Sequence, residues 1–146
     1  MIRQKDGFTL IELLVVIAII GILSSIVLAS LNTARGKGND AKVKAQLSGL
    51  RAAAEIYYDN QTPNSYGITA STCTTASSMF VDSVSKMLDY ATQANYPTNA
   101  TLSCFSSAGA YAVSALLPGV GGTNSWCVDS TGKSIPRATA VTSTAC

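Results

Sequence analysis

Between Glu12 and Arg35 the chain has no charged residue, a run of 22 consecutive positions. As an α-helix this run is roughly 33 Å long, which matches the hydrocarbon thickness of a bilayer. It lacks the polar stripe of an ordinary core helix, so it is expected to be apolar all round and able to span a membrane. Just before it stands Gly7-Phe8-Thr9-Leu10-Ile11-Glu12, in which Glu12 is the one charge on an otherwise greasy segment. Residues 1–7 carry Arg3, Lys5 and Asp6 and are too short to hold the apolar core of a secretory signal peptide.

The apolar run accounts for much of the 47% hydrophobic content; only 12% of the 146 residues are charged. Roughly 110 residues remain for a globular part, enough for one small core. Ser, Thr, Ala and Asn dominate there, as suits a surface facing solvent outside the cell. Net charge is +2 and histidine is absent, which gives no strong electrostatic case for nucleic acid and removes the commonest general base and metal ligand. No nucleophile–base arrangement, phosphate loop or carboxylate pair stands out. Neither an enzyme nor a cofactor or metal site is expected.

Beyond the run, Val43, Leu47, Leu50, Ala54 and Tyr57 recur at spacings of three and four and line one face, so the helix is expected to continue as an amphipathic half. Gly36 and Gly38 weaken it by about 1 kcal/mol each relative to alanine. Asp59-Asn60 before Thr62-Pro63 reads as its stop. The whole is one helix of about 50 residues. Residues 62–78 read as a loop, and 78–91 as a short helix with Phe80, Val84, Met87 and Leu88 on one side.

After Pro97 the pattern turns to short strands at 102–106, 111–116 and 125–130, with a fourth at 133–135. Turn chemistry separates them at Ala108-Gly109, at 118–122 and at 130–132. A small antiparallel meander packed on the amphipathic half-helix is the simplest α+β assembly. Trp126 and Val128 alternate with Cys127 and Asp129, so one pair is expected to face the core and the other to face out. Cys73, Cys104, Cys127 and Cys146 all lie beyond the apolar run with no C-x-x-C pair. They read as two disulfides in an oxidising compartment, with three pairings open.

Other features have plain readings. Asp129-Ser130-Thr131-Gly132 fits a hairpin turn better than a calcium loop, because it offers a lone acid. Asn60-Gln61-Thr62 and Asn99-Ala100-Thr101 match glycosylation sequons, which arise by chance in Asn/Thr-rich sequence; abundant Ser and Thr leave O-linked modification open. Arg35, Lys37, Lys42 and Lys44, set against Asp40, read as a solvated helix face or a partner for acidic neighbours. DNA is not indicated as a partner, since no aromatic residues interleave with these charges.

The stretch from Gly7 through Glu12 to Leu23 closely resembles the N-terminus of bacterial type IV pilins and related pseudopilins, with the match specific over residues 7–34. The resemblance implies a prepilin leader at 1–7, a transmembrane and polymerisation half-helix at 8–34, an amphipathic half at 35–60, and a head at 61–146 with an antiparallel sheet and a disulfide-closed C-terminal loop. It implies that a prepilin peptidase cuts between Gly7 and Phe8 and methylates the new Phe8 amine. Its partners would be other copies of itself in a helical filament, the inner membrane before assembly, and the pilus assembly machinery. The filament would serve adhesion, twitching motility or DNA uptake. The alternative is a pseudopilin of a type II secretion or competence machine, and a membrane-anchored enzyme is a distant third. In pilins the last disulfide often closes the C-terminal loop, which favours Cys73–Cys104 with Cys127–Cys146.

One departure from the family stands at Ala29, where many pilins carry a proline, while Gly21 is retained. Proline-assisted melting of the helix is therefore not implied, although Gly21 and Ser24-Ser25 still loosen it locally. The count of positive charges on its own favours the opposite membrane orientation; the leader and the cysteines place the C-terminal part outside.

Glu12 has two readings. Thr9-Leu10-Ile11-Glu12 fits a capping box, in which the acid reaches back to a free backbone N–H. The resemblance adds assembly, in which Glu12 pairs with the Phe8 amine of a neighbouring subunit. That amine exists only after processing.

Overall fold

The computed structural model describes residues 7–120 and 124–146. The chain forms two compact units, Met1–Arg35 and Gly36–Cys146. One helix, α1 (Leu10–Asn60), runs through both. It ends at Asn60, ahead of Pro63, as the restriction on residues preceding proline predicts.

Within the second unit α1 buries Val43, Leu47, Leu50, Ala54 and Tyr57. These pack with Met79, Phe80, Met87, Tyr111, Val113 and Val128 in one apolar cluster. The sheet is an antiparallel meander, β1 (Leu102–Ser107), β2 (Ala110–Leu116), β3 (Ser125–Asp129) and β4 (Ser134–Arg137), in the order β1-β2-β3-β4. The fold is α+β, a long N-terminal helix with a small antiparallel sheet. The 62–78 connection is not wholly free, because Ala70 exchanges both backbone hydrogen bonds with Ser106 at the outer edge of β1.

Two expectations are corrected. The helix anticipated over 78–91 is a 3-10 turn at Met79–Val81 and a short helix α2 (Met87–Ala91). Between them Asp82 Oδ2 accepts the Ser85 N–H at 2.7 Å and the Ser85 hydroxyl at 2.5 Å. Such local side-chain bonding competes with the helical ladder. Lys86 then adopts a φ of 69°, in the left-handed region, and Val84, expected on the buried side, is 77% exposed.

The second correction concerns β3. Val128 faces the main core, but Cys127 and Asp129 are buried as well. Cys127, Ala112 and Val141 form a second apolar cluster, with Phe105 and Cys146 packed against it. The sheet therefore has two covered faces, the second closed by the C-terminal segment.

Gly36 and Gly38 do not interrupt α1. Gly36 has a use that propensity does not register. The backbone of Gly119, just after β2, lies against Gly36, and a Cβ on Gly119 would overlap the Gly36 carbonyl. The Gly119 N–H donates to Asp40 Oδ1 at 2.8 Å. The anticipated turn at 118–122 begins as a 3-10 turn at Pro118–Val120 and otherwise lies outside the described residues.

Candidate processing and assembly site

At the start of α1 the capping box is formed. Glu12 Oε2 accepts the Thr9 N–H at 2.8 Å and the Thr9 hydroxyl at 2.7 Å, while the Glu12 N–H donates to Thr9 Oγ1 at 3.3 Å. Two of the backbone donors that a helix N-terminus leaves without intrahelical partners are thereby satisfied. Acid so near the helix start also complements the macrodipole. Every bond received by the carboxylate falls on Oε2, which leaves Oε1 available to another donor.

Gly7 and Phe8 precede the helix in irregular, exposed backbone, and the Phe8 side chain is 84% exposed. Residues 1–6 of the expected leader lie outside the described residues.

From Leu10 to Leu31 the apolar side chains are exposed on all sides of the helix, from Leu10 at 73% to Val16 at 46%. The helix is long and apolar enough to cross a membrane. Two of its hydroxyls are turned inward on the backbone: Ser25 Oγ donates to the Ile22 carbonyl at 2.7 Å and Thr33 Oγ1 to the Ala29 carbonyl at 3.2 Å. Polar atoms satisfied in this way are compatible with lipid or with packed neighbouring helices. The helix is continuous through Gly21, Ser24-Ser25 and Ala29.

In the head, disulfides join Cys73 to Cys104 and Cys127 to Cys146. The second is part of a clasp. Asp129 Oδ2 accepts the Cys146 N–H at 2.9 Å, and Arg137 Nη1 donates to the Cys146 carbonyl at 2.6 Å. Asp129 Oδ1 accepts the Thr131 N–H, the Thr131 hydroxyl and the Lys133 N–H at 2.9, 2.6 and 3.2 Å. The Asp129-Ser130-Thr131-Gly132 segment is thus a hairpin whose acid is committed to protein donors. Among the described residues no group of three His, Cys, Asp or Glu is placed to hold a metal.

Burial alone would raise the Asp129 carboxyl, but the hydrogen bonds from Thr131, Cys146 and Lys133 outweigh it and hold it below the usual carboxylate range. A depressed folded value means the stabilisation is complete above the unfolded value of about 3.9 and is lost as pH falls through the folded one. Thermal melting of the protein in detergent is therefore expected to weaken below about pH 4. Asp129→Asn should melt lower at neutral pH and flatten that acid dependence. An unchanged pH profile would rule out this clasp.

Two contacts had only faint sequence signals. Asp40 is a lone acid among cations, and it is nearly buried at the Gly119 loop. Trp126, 82 positions after Lys44 in the chain, receives the Lys44 ammonium 4.4 Å from its ring centroid. No local pattern predicts either meeting.

Comparison with known proteins returns to the N-terminal segment. Residues 2–28 match the prokaryotic N-terminal methylation motif. Over 65 residues the chain is 48% identical to the type IV wide pilus major component PilA4 of Thermus thermophilus, covering 44% of this chain and 47% of that one. Over 55 residues it is 42% identical to the type II secretion system core protein G of Klebsiella pneumoniae, covering 38% and 39%. The corresponding protein of Pseudomonas aeruginosa is 34% identical over the same length, covering 38% of this chain and 39% of its own. The chain thus spans less than half the length of these relatives, and no solved structure matches it. Residues 2–28 thus match the prokaryotic N-terminal methylation motif, and they are carried here on an α+β frame of one long helix and a four-stranded antiparallel sheet.

Proposed function

We propose that this protein is a structural subunit of a type IV pilus. The observation that carries the proposal is a single carboxylate, Glu12, on the otherwise uncharged and all-round exposed stretch of α1 ahead of Arg35, one turn from an exposed Gly7-Phe8 step. Cleavage between Gly7 and Phe8 by a prepilin peptidase, followed by methylation of the Phe8 amine, yields a subunit with a positive end and an acid four residues away. Residues 8–34 hold the subunit in the membrane until assembly and then pack with those of other copies in the filament core. Residues 61–146, with the amphipathic 35–60 beneath them, coat the fibre outside the cell. The relatives named above, a pilus component and a secretion-system core component, support a structural role rather than catalysis.

The similarity to core protein G favours a second reading, a pseudopilin of a secretion or competence machine. Electron microscopy of surface fibres sheared from cells, with mass spectrometry of their main component, separates the two. Long fibres whose subunit starts at Phe8 and is heavier by one methyl group are expected. Fibres made of a protein that retains residues 1–7 would contradict the proposal, and the absence of long fibres would favour the pseudopilin.

A further inference from the structure

The exposed side of α1 within the second unit carries its charges in a segregated order. Positions 37, 44, 48, 55 and 59 follow one another at spacings of seven and four, so they lie along one strip of the helix. The strip begins with Lys37 and Lys44 and ends with Glu55 and Asp59, all four exposed. Ser48 within the strip and Ala41, Ala45, Ala52 and Ile56 beside it are exposed, and Ile56 retains 51% of its surface.

Two of these charges are held in place before any partner arrives. The Lys44 ammonium sits on the Trp126 ring, and Glu55 accepts the Tyr66 hydroxyl at 3.0 Å. Side chains already fixed lose less conformational freedom when they bind. Asp59 Oδ1 has a weaker tether, Asn64 Nδ2 at 3.5 Å.

We propose that this strip is an interface with a second copy of the same chain, in which Lys37 and Lys44 of one copy face Glu55 and Asp59 of the other in a staggered, parallel arrangement. The inference rests on the filament reading, because a filament built on one kind of N-terminal helix keeps all copies parallel. Parallel copies in register set lysine against lysine and acid against acid, which repels. Fifteen residues separate Lys44 from Asp59 and eighteen separate Lys37 from Glu55, about 23 and 27 Å of helix. A stagger of about 25 Å therefore satisfies both pairs at once. The Phe8–Glu12 pairing spans only about one helical turn, so it goes to a different neighbour. An exposed ion pair contributes little alone, but here it also selects register against the repulsive alternative, and it repeats at every subunit.

The test uses the full chain in its host, with sheared fibre yield measured against total subunit. Lys44→Glu and Asp59→Lys are each expected to reduce yield by at least about fivefold, and the double reversal to restore it. Lys44→Gln, which loses the Trp126 contact without creating like charges, should have a smaller effect. Independently, a chain with Lys44→Cys and Asp59→Cys should form crosslinked ladders in fibres that neither single variant forms. Single reversals that assemble normally, a double reversal no better than its worse parent, or fibres without ladders would each overturn the interface while leaving the subunit reading intact. Absence of fibres from the unaltered chain would instead overturn that reading.

Discussion

Glu12→Ala is expected to leave membrane insertion intact and to lower filament yield by at least about tenfold, measured as sheared fibre protein against total subunit. Removing the acid makes the apolar segment more apolar, so insertion is not impaired. On the proposed assembly it also takes away the anion available to a neighbour's Phe8 amine, leaving a positive charge without a partner in a low-dielectric core. Because Glu12 also caps its own helix through Thr9, alanine alone does not separate the two roles. Glu12→Gln does, since an amide oxygen still accepts the Thr9 N–H but carries no charge. Assembly of the Gln variant at the unaltered level would leave capping as the whole role of this residue. Loss in both variants, with unchanged processing at Gly7-Phe8, is the expected result.

Replacing Cys127 and Cys146 together by alanine is expected to cost about 3 kcal/mol, from the entropy of the loop they close. With a sequence separation of 19, the melting temperature should fall by more than about 10 °C. The same variant frees the C-terminal segment, Val141 included, that covers Ala112 and Phe105, so apolar surface should become exposed and fibre yield should drop as well. Asp129 and Arg137 still hold Cys146 by hydrogen bonds. If melting is unchanged by the substitution and by reductant, those bonds suffice and the disulfide is dispensable. The clasp thus divides into a covalent part and an acid-sensitive part that can be measured separately.

The four strands were legible to within two residues at either end because turn residues bracket short β-branched and aromatic runs. The buried face of α1 was legible because Val43, Leu47, Leu50, Ala54 and Tyr57 keep helical spacing. The 78–91 segment was not, although its apolar residues also keep that spacing. Asp82, Ser85 and Lys86 divert the backbone there, and periodicity carries no information about such local bonding. At β3 one of the two pairs, Trp126 with Val128 or Cys127 with Asp129, was expected to face out because alternation assumes one solvated face. That face is covered by residues 12 to 19 positions further on, Val141 and Cys146 among them.

Sequence by itself determined the N-terminal segment. Helical hydrogen bonds join residues four apart, and no described side chain from Phe8 to Thr33 is buried by the rest of the chain. Composition and the Thr9–Glu12 spacing therefore suffice to define the helix, its start and its one charge. Tertiary structure alone decided the head. The Gly36–Gly119 approach, the Asp40 bond, the Lys44–Trp126 contact and the C-terminal clasp join residues far apart in the chain, and which of them meet depends on how the sheet packs on the helix.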